Sequence, residues 1–218
     1  MDFQRGKAKC FITQRFQQIA LHGTDDCHTP FLYDSSILTV TGTGCFWLRD
    51  NYSTAGDSWD GYVRSVTYAN IYNKNSKKNY FFVNAHLPLS ADGQERAMAL
   101  LENRISALNT NGYPVILMGD FNTVFSNDGA FGSIKTKMNN TRYSAASVLS
   151  IENRDLYTYN AFGDSSKDRN KVDHIWVSKS VKTLYYLTLT QSVHDYGGYS
   201  TNGEKFLSDH YPIIAVIA

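Results

Sequence analysis

Two β-type runs, residues 63–72 and 80–86, flank the polar turn 73–79. A helical period over 92–108 follows, then another apolar run at 114–118. The first two runs form a hairpin in which apolar and polar side chains alternate with the pleat. In the third segment Met98, Leu101, Ile105 and Leu108 recur at spacings of three and four, which lays one apolar stripe of a helix on a sheet. Asn111-Gly112 ends that helix. A chain that spends its centre this way builds a sheet partly covered by helices.

Short β-type segments at 31–33, 37–41 and 45–48 precede the hairpin, and others at 172–177, 183–190 and 211–217 close the chain. Few of them are uninterrupted apolar runs, which favours a mixed or antiparallel sandwich over an all-parallel sheet. The 15 Tyr and 12 Phe among 218 residues suit pleated, half-buried surfaces. Before residue 31, Ile12, Phe16 and Ile19 are spaced four and three apart and predict a helix over 8–21. The Asn-, Ser- and Gly-rich stretch from 121 to 153 is expected to hold one or two short helices. One domain spans 1–218, with a helix and linker over 1–30 and the chemistry within 31–218.

A net charge of +1 supplies no global basic field to attract nucleic acid. Three cysteines at 10, 27 and 45 lack metal-ligand spacing, so at most one disulfide could form, and buried free thiols are the simpler reading. No apolar run is long enough to cross a bilayer, and residues 1–7 lack the order of a secretory signal, so a soluble chain of unspecified compartment is expected.

Polar residues cluster where apolar runs end. His86 follows Phe81-Phe82-Val83 in the hairpin. Asp120 and Asn122 follow the strand at 114–118 and alternate with Phe121, so both project to one side while Phe121 turns to the core. Asp209 and His210 stand just before the last apolar run, pairing a hard oxygen donor with a group that titrates near neutrality. Asp173 interrupts a strand that is otherwise apolar. A carboxylate so placed orients a histidine and fixes its tautomer, and His210 is the candidate.

The ordered set Asn84-Ala85-His86-Leu87, Gly119-Asp120-Phe121-Asn122, Val172-Asp173-His174-Ile175 and Ser208-Asp209-His210-Tyr211-Pro212 resembles the endonuclease/exonuclease/phosphatase superfamily. Gly44-Cys45-Phe46-Trp47-Leu48, Trp59-Asp60 and Arg64 fit the same pattern upstream. The resemblance implies a four-layered, DNase I-like α/β sandwich of two facing mixed sheets with helices outside. It implies hydrolysis of a phosphate ester, a phosphodiester before a monoester, by a water activated with Mg²⁺ or Mn²⁺. Under it Asp120 and Asn122 handle the water and the phosphate, and Asp209 serves the metal. His210, oriented by Asp173, acts on water or on the phosphorane-like state, while His86 and Arg64 face the phosphate oxygens.

The family pattern also begins with two core strands, the second ending in a Glu metal ligand, and nothing before residue 31 matches them. The expectation is an N-terminally short member, lacking the usual first strands and one carboxylate, with weakened metal affinity. The alternative is a catalytically inactive derivative that keeps the sandwich for binding. Nucleic acids, nucleotides and lipid or sugar phosphates all stay open as substrates.

Overall fold

A computed structural model describes residues 16–19, 29–150, 156–190 and 206–218. It opens with an antiparallel ladder of β1 (Phe16–Ile19) and β2 (Phe31–Asp34), in which Phe16 lies opposite Asp34 and Ile19 opposite Phe31. This overturns the helix expected there, at least for 16–19; the rest of 8–21 lies outside the described residues. A spacing of three between Phe16 and Ile19 suits a helix, but pairing with β2 outweighs so short a local signal.

Three long strands follow: β3 (Leu38–Trp47), β4 (Ser65–Asn73) and β5 (Lys78–His86), joined as consecutive antiparallel neighbours. The two segments expected at 37–41 and 45–48 are one strand with an irregularity between Val40 and Gly42. Further along β3, Gly44 leaves room for the Tyr68 ring, whose hydroxyl a Cβ there would meet at 2.4 Å. After β5, Ser90 caps α1 (Ala91–Leu108) by accepting from Gly93 N. The helix then returns the chain to β6 (Val115–Asp120), parallel to β5.

The polar stretch that follows holds α2 (Asp128–Lys137), β7 (Met138–Asn140), the single turn α3 (Thr141–Ser144) and β8 (Ser147–Ser150). The chain closes with β9 (Asp173–Ser178), β10 (Thr183–Thr188) and β11 (Ile213–Ile217). Two mixed sheets result, of six strands in the order β3-β4-β5-β6-β9-β7 and of three in the order β11-β10-β8. The β1–β2 ladder stands separately.

Alternation along the strands divides the core. Phe81, Val83, Leu117 and Trp176 face α1 and α2, where Met98, Leu101, Phe131 and Ile134 are buried against them. Their neighbours Tyr80, Ile116 and Val177 face the other way, toward Ile217 of β11, and Phe31 of β2 packs on Ala69 and Ile71. On this inner face a cavity of about 520 Å³ is lined by Leu38, Ile71, Met118, Ile175, Ile213 and Ile217, among others. The fold is thus the expected α/β sandwich, with its second sheet in two pieces among the described residues. No helix of the described residues is long and apolar enough to cross a membrane.

Candidate active site

Register brings the polar strand ends together. His86 ends β5 directly beside Asp120 at the end of β6, and Asp120 lies opposite Asp173, which begins β9. Three neighbouring strands therefore present one row of His, Asp and Asp. Gly119 makes the approach possible: its φ is +142°, and a Cβ there would sit 1.8 Å from the Ala85 carbonyl oxygen.

Beyond the row the chain turns sharply at Asn122, a non-glycine residue with φ +49°. Its backbone N–H donates to Asp120 Oδ1 at 2.8 Å and its side-chain amide to the Leu87 carbonyl at 2.8 Å, while Gln94 donates to its carbonyl at 2.9 Å. These bonds hold an otherwise uncommon conformation. Phe121 is fully buried, edge-on to Phe131 and His174 at 5.6 Å each, so Asp120 and Asn122 do project away from the core.

His210 reaches the row from the far end of the sequence. Its Nδ1 lies 2.7 Å from Asp173 Oδ2 and its Nε2 3.8 Å from Asp120 Oδ2. A bridge to Tyr159 and contact with the Tyr159 ring, centroids 5.2 Å apart, seat the imidazole. Thr158 braces the strand beneath, its hydroxyl accepting from the backbone N–H groups of Val172 and Asp173 at 3.0 Å. The Asp209 carbonyl accepts from Asn160 and Ala161 N–H groups at 2.7 and 3.1 Å, which anchors that loop beside the row.

Arg64 sits behind His86 and is 4% exposed. It donates from Nη1 to His86 Nε2 at 2.8 Å and from Nε and Nη2 to Asp60 Oδ2 at 3.3 and 2.9 Å. A guanidinium cannot accept, so Nε2 is the unprotonated nitrogen of a neutral imidazole. Burial, then the charges of Arg64 and His210, push His86 down to about 4. Asp60 also accepts from the Leu89 N–H at 2.9 Å; burial opposes its ionisation, but these bonds and Arg64 hold it below the usual carboxylate range.

Asp120 moves the other way. Burial and the charge of Asp173 raise it to about 6. For His210, burial favours the neutral ring, yet the hydrogen bond and charge of Asp173, with Asp120 and Asp209 adding, leave its pKa raised. The site thus sets a carboxylate whose proton affinity is raised beside an imidazole whose protonated form Asp173 favours, an acid–base pair suited to activating water against an anion.

All seven residues expected from sequence lie at or beside this row, with Arg64 one layer behind. Gln94, Thr158, Tyr159 and Asn160 escaped the sequence reading, and Asp60 entered it only within the Trp59-Asp60 pattern, without a role. The other four are ordinary polar loop and helix residues until the fold assembles.

The sequence profile described as the Endonuclease/Exonuclease/phosphatase family matches residues 15–210. The chain belongs to that family. The members of the endonuclease/exonuclease/phosphatase family are hydrolytic phosphoesterases, which sets hydrolysis of phosphate esters as the chemistry in outline. Among solved structures of the same fold, a mannosyl-6-phosphatase from Bacteroides thetaiotaomicron VPI-5482 superposes with a TM-score of 0.81 at 20% identity, over 94% of this chain and 78% of its own. An endonuclease/exonuclease/phosphatase protein from Bacteroides vulgatus gives 0.76 at 23%, over 94% and 76%. The D. rerio TDP2 complexed with single strand DNA product gives 0.63 at 12%, over 94% and 77%. No curated protein matches the sequence significantly.

Proposed function

We propose that this chain is a divalent-cation-dependent phosphodiesterase whose attacking water is activated by Asp120. The observation that carries the reading is the row His86–Asp120–Asp173 with His210 docked 2.7 Å from Asp173. Asp120 Oδ2, raised to about 6, accepts a proton as the water oxygen bonds to phosphorus. The bond from phosphorus to the leaving oxygen breaks, and that oxygen takes a proton from solvent. Protonated His210 donates to a non-bridging oxygen, where charge accumulates in the transition state. Asn122 keeps one side-chain N–H for the phosphate while the other holds Leu87. Arg64, pinned by Asp60, positions His86 as the third side of the phosphate seat.

A cation fits the oxygens here. Asp120 and Asp173 lie opposite each other in the row, and the charge of Asp173 adds to burial in raising Asp120. Among the described residues no cluster of three His, Cys, Asp or Glu groups gathers to hold a metal. Mg²⁺, however, is commonly held by one or two carboxylates with water and substrate phosphate, and Asp209 would be its protein ligand. When bound it would neutralise phosphate charge as a Lewis acid. The competing reading is a non-catalytic binding derivative of the family.

Hydrolysis of bis-p-nitrophenyl phosphate with Mg²⁺ or Mn²⁺ separates the two. Turnover is expected from the native chain and not from Asp120→Ala or His210→Ala. Mg²⁺ should also raise the thermal midpoint of the native protein and not of Asp209→Asn, since a ligand of the folded state stabilises it. Folded protein with neither turnover nor a Mg²⁺ shift establishes the binding derivative.

A further inference from the structure

Two large apolar side chains beside His86 stand in water, Tyr62 at 58% and Leu89 at 59% exposure. Both are fixed to one carboxylate, that of Asp60, whose own side chain is 4% exposed. Asp60 Oδ1 accepts from the Tyr62 N–H at 3.2 Å, and Oδ2 accepts from the Leu89 N–H at 2.9 Å. Residues far apart in sequence therefore leave the surface side by side. The same Oδ2 holds Arg64, whose Nη1 donates to His86 Nε2 at 2.8 Å and whose Cζ lies 5.4 Å from the centre of the Tyr62 ring. On the other flank Gln94 Nε2 donates to the Leu89 carbonyl at 3.2 Å and to the Asn122 carbonyl at 2.9 Å. The pair is thus bonded, through one intervening side chain each, to His86 and Asn122 of the proposed phosphate seat.

Neither side chain sits on a loose loop tip. Tyr62 ends a turn in which the Ser58 N–H donates to the Tyr62 carbonyl at 2.8 Å and the Gly61 N–H to the Ser58 carbonyl at 3.0 Å, and Asp57 pairs with Val63 across it. Leu89 stands between Pro88, whose ring fixes φ, and Ser90, which caps α1. Rigid backbone that holds hydrocarbon in water contributes nothing to folding. Single exposed apolar residues are ordinary, but a pair anchored to the groups that form the phosphate seat is a contact surface for whatever the phosphate carries.

We propose that Tyr62 and Leu89 form the specificity-determining rim of the site and receive the apolar group of the alcohol esterified to the phosphate. The inference rests on the proposed phosphoesterase reading and names its substrate class: esters of apolar alcohols rather than of polyhydroxy alcohols. Hydroxyls placed here would meet no hydrogen-bonding group on Leu89 and would leave its surface wet, whereas hydrocarbon covers both side chains. That hydrocarbon has two sources, an aromatic ring or an alkyl chain.

The test is competition against bis-p-nitrophenyl phosphate by methyl, phenyl and hexyl phosphate, which share the phosphate and differ in the group beside it. Apolar contact with the rim predicts about tenfold tighter inhibition by phenyl or hexyl phosphate than by methyl phosphate, and the tighter of the two identifies the source. Glycerol 3-phosphate, larger than methyl phosphate but hydroxylated, should gain nothing over it. In Tyr62→Ser and Leu89→Ser the preference should fall toward one, while Tyr62→Phe keeps it; both positions are exposed, so the variants should fold. Equal inhibition by methyl and apolar esters in the native protein, or a preference that both Ser variants retain, overturns the proposal. Calorimetric titration of the same esters with Mg²⁺ present reads the rim even if bis-p-nitrophenyl phosphate is not turned over. Esters bound without apolar preference remove the rim alone, whereas no ester bound and no turnover removes the phosphoesterase reading together with it.

Discussion

Asp173 acts on two neighbours with one charge. It makes protonation easier at both Asp120 and His210, which keeps a proton-accepting carboxylate and a proton-donating imidazole a few ångströms apart. In Asp173→Asn both pKa values should fall. Under the proposed mechanism, which needs Asp120 ionised and His210 protonated, the rate then peaks at lower pH, and turnover at pH 7.5 drops about 10²-fold. A profile that keeps its shape would remove Asp173 from this role. Stability gives a second readout. Because the folded His210 pKa lies above 6.5, its pairing stabilises the fold below that pH and the benefit is lost as pH rises through the folded value. Urea titrations should accordingly show the gap between native protein and variant narrowing toward alkaline pH. The candidate residues of the row were legible because each is a polar side chain at the end of an apolar run. Thr158 and Tyr159 act only through contacts that tertiary folding creates, and no local pattern marks such residues.

The elements place the site through a single close approach. β5 and β6 must come near enough for His86 and Asp120 to be neighbours, and Gly119 leaves that space. Gly119→Ala combines a clash with the Ala85 carbonyl and a backbone conformation that L side chains rarely adopt. Rigid backbone on both sides cannot relax as a side chain could, so the variant should lose about 3 kcal/mol or more, read as a lower urea midpoint. An unchanged midpoint would mean that the strands are not in this register. The hairpin and α1 were readable because their periods persist over nine or more residues. β1, at four residues, is too short for its period to exclude a helix. β7 and β8, with three and four, are set by β9 and β10 beside them rather than by their own sequences.

At the scale of the molecule the two faces of the six-stranded sheet are covered unequally. Helices α1 and α2 close one face, while the other meets β2 and β11 with the 520 Å³ cavity lined from both sheets. β11 is Ile-Ile-Ala-Val-Ile, has no charge, and forms the edge of its sheet among the described residues. Ile214 and Val216, on its outward side, are 42% and 46% exposed, and Leu184 of neighbouring β10 is 37% exposed. An uncharged apolar edge strand of this kind pairs readily with other chains. Concentration-dependent self-association is therefore expected in sedimentation velocity. In Ile214→Lys/Val216→Lys it should recede, because a charged edge resists strand pairing. Both side chains are substantially exposed, so each substitution should alter stability by no more than about 0.5 kcal/mol. A variant that associates as strongly as the native chain places the sticky surface elsewhere. One that unfolds shows instead that the outward face of β11 is covered within the folded chain, and that the second sheet is completed by residues beyond those described.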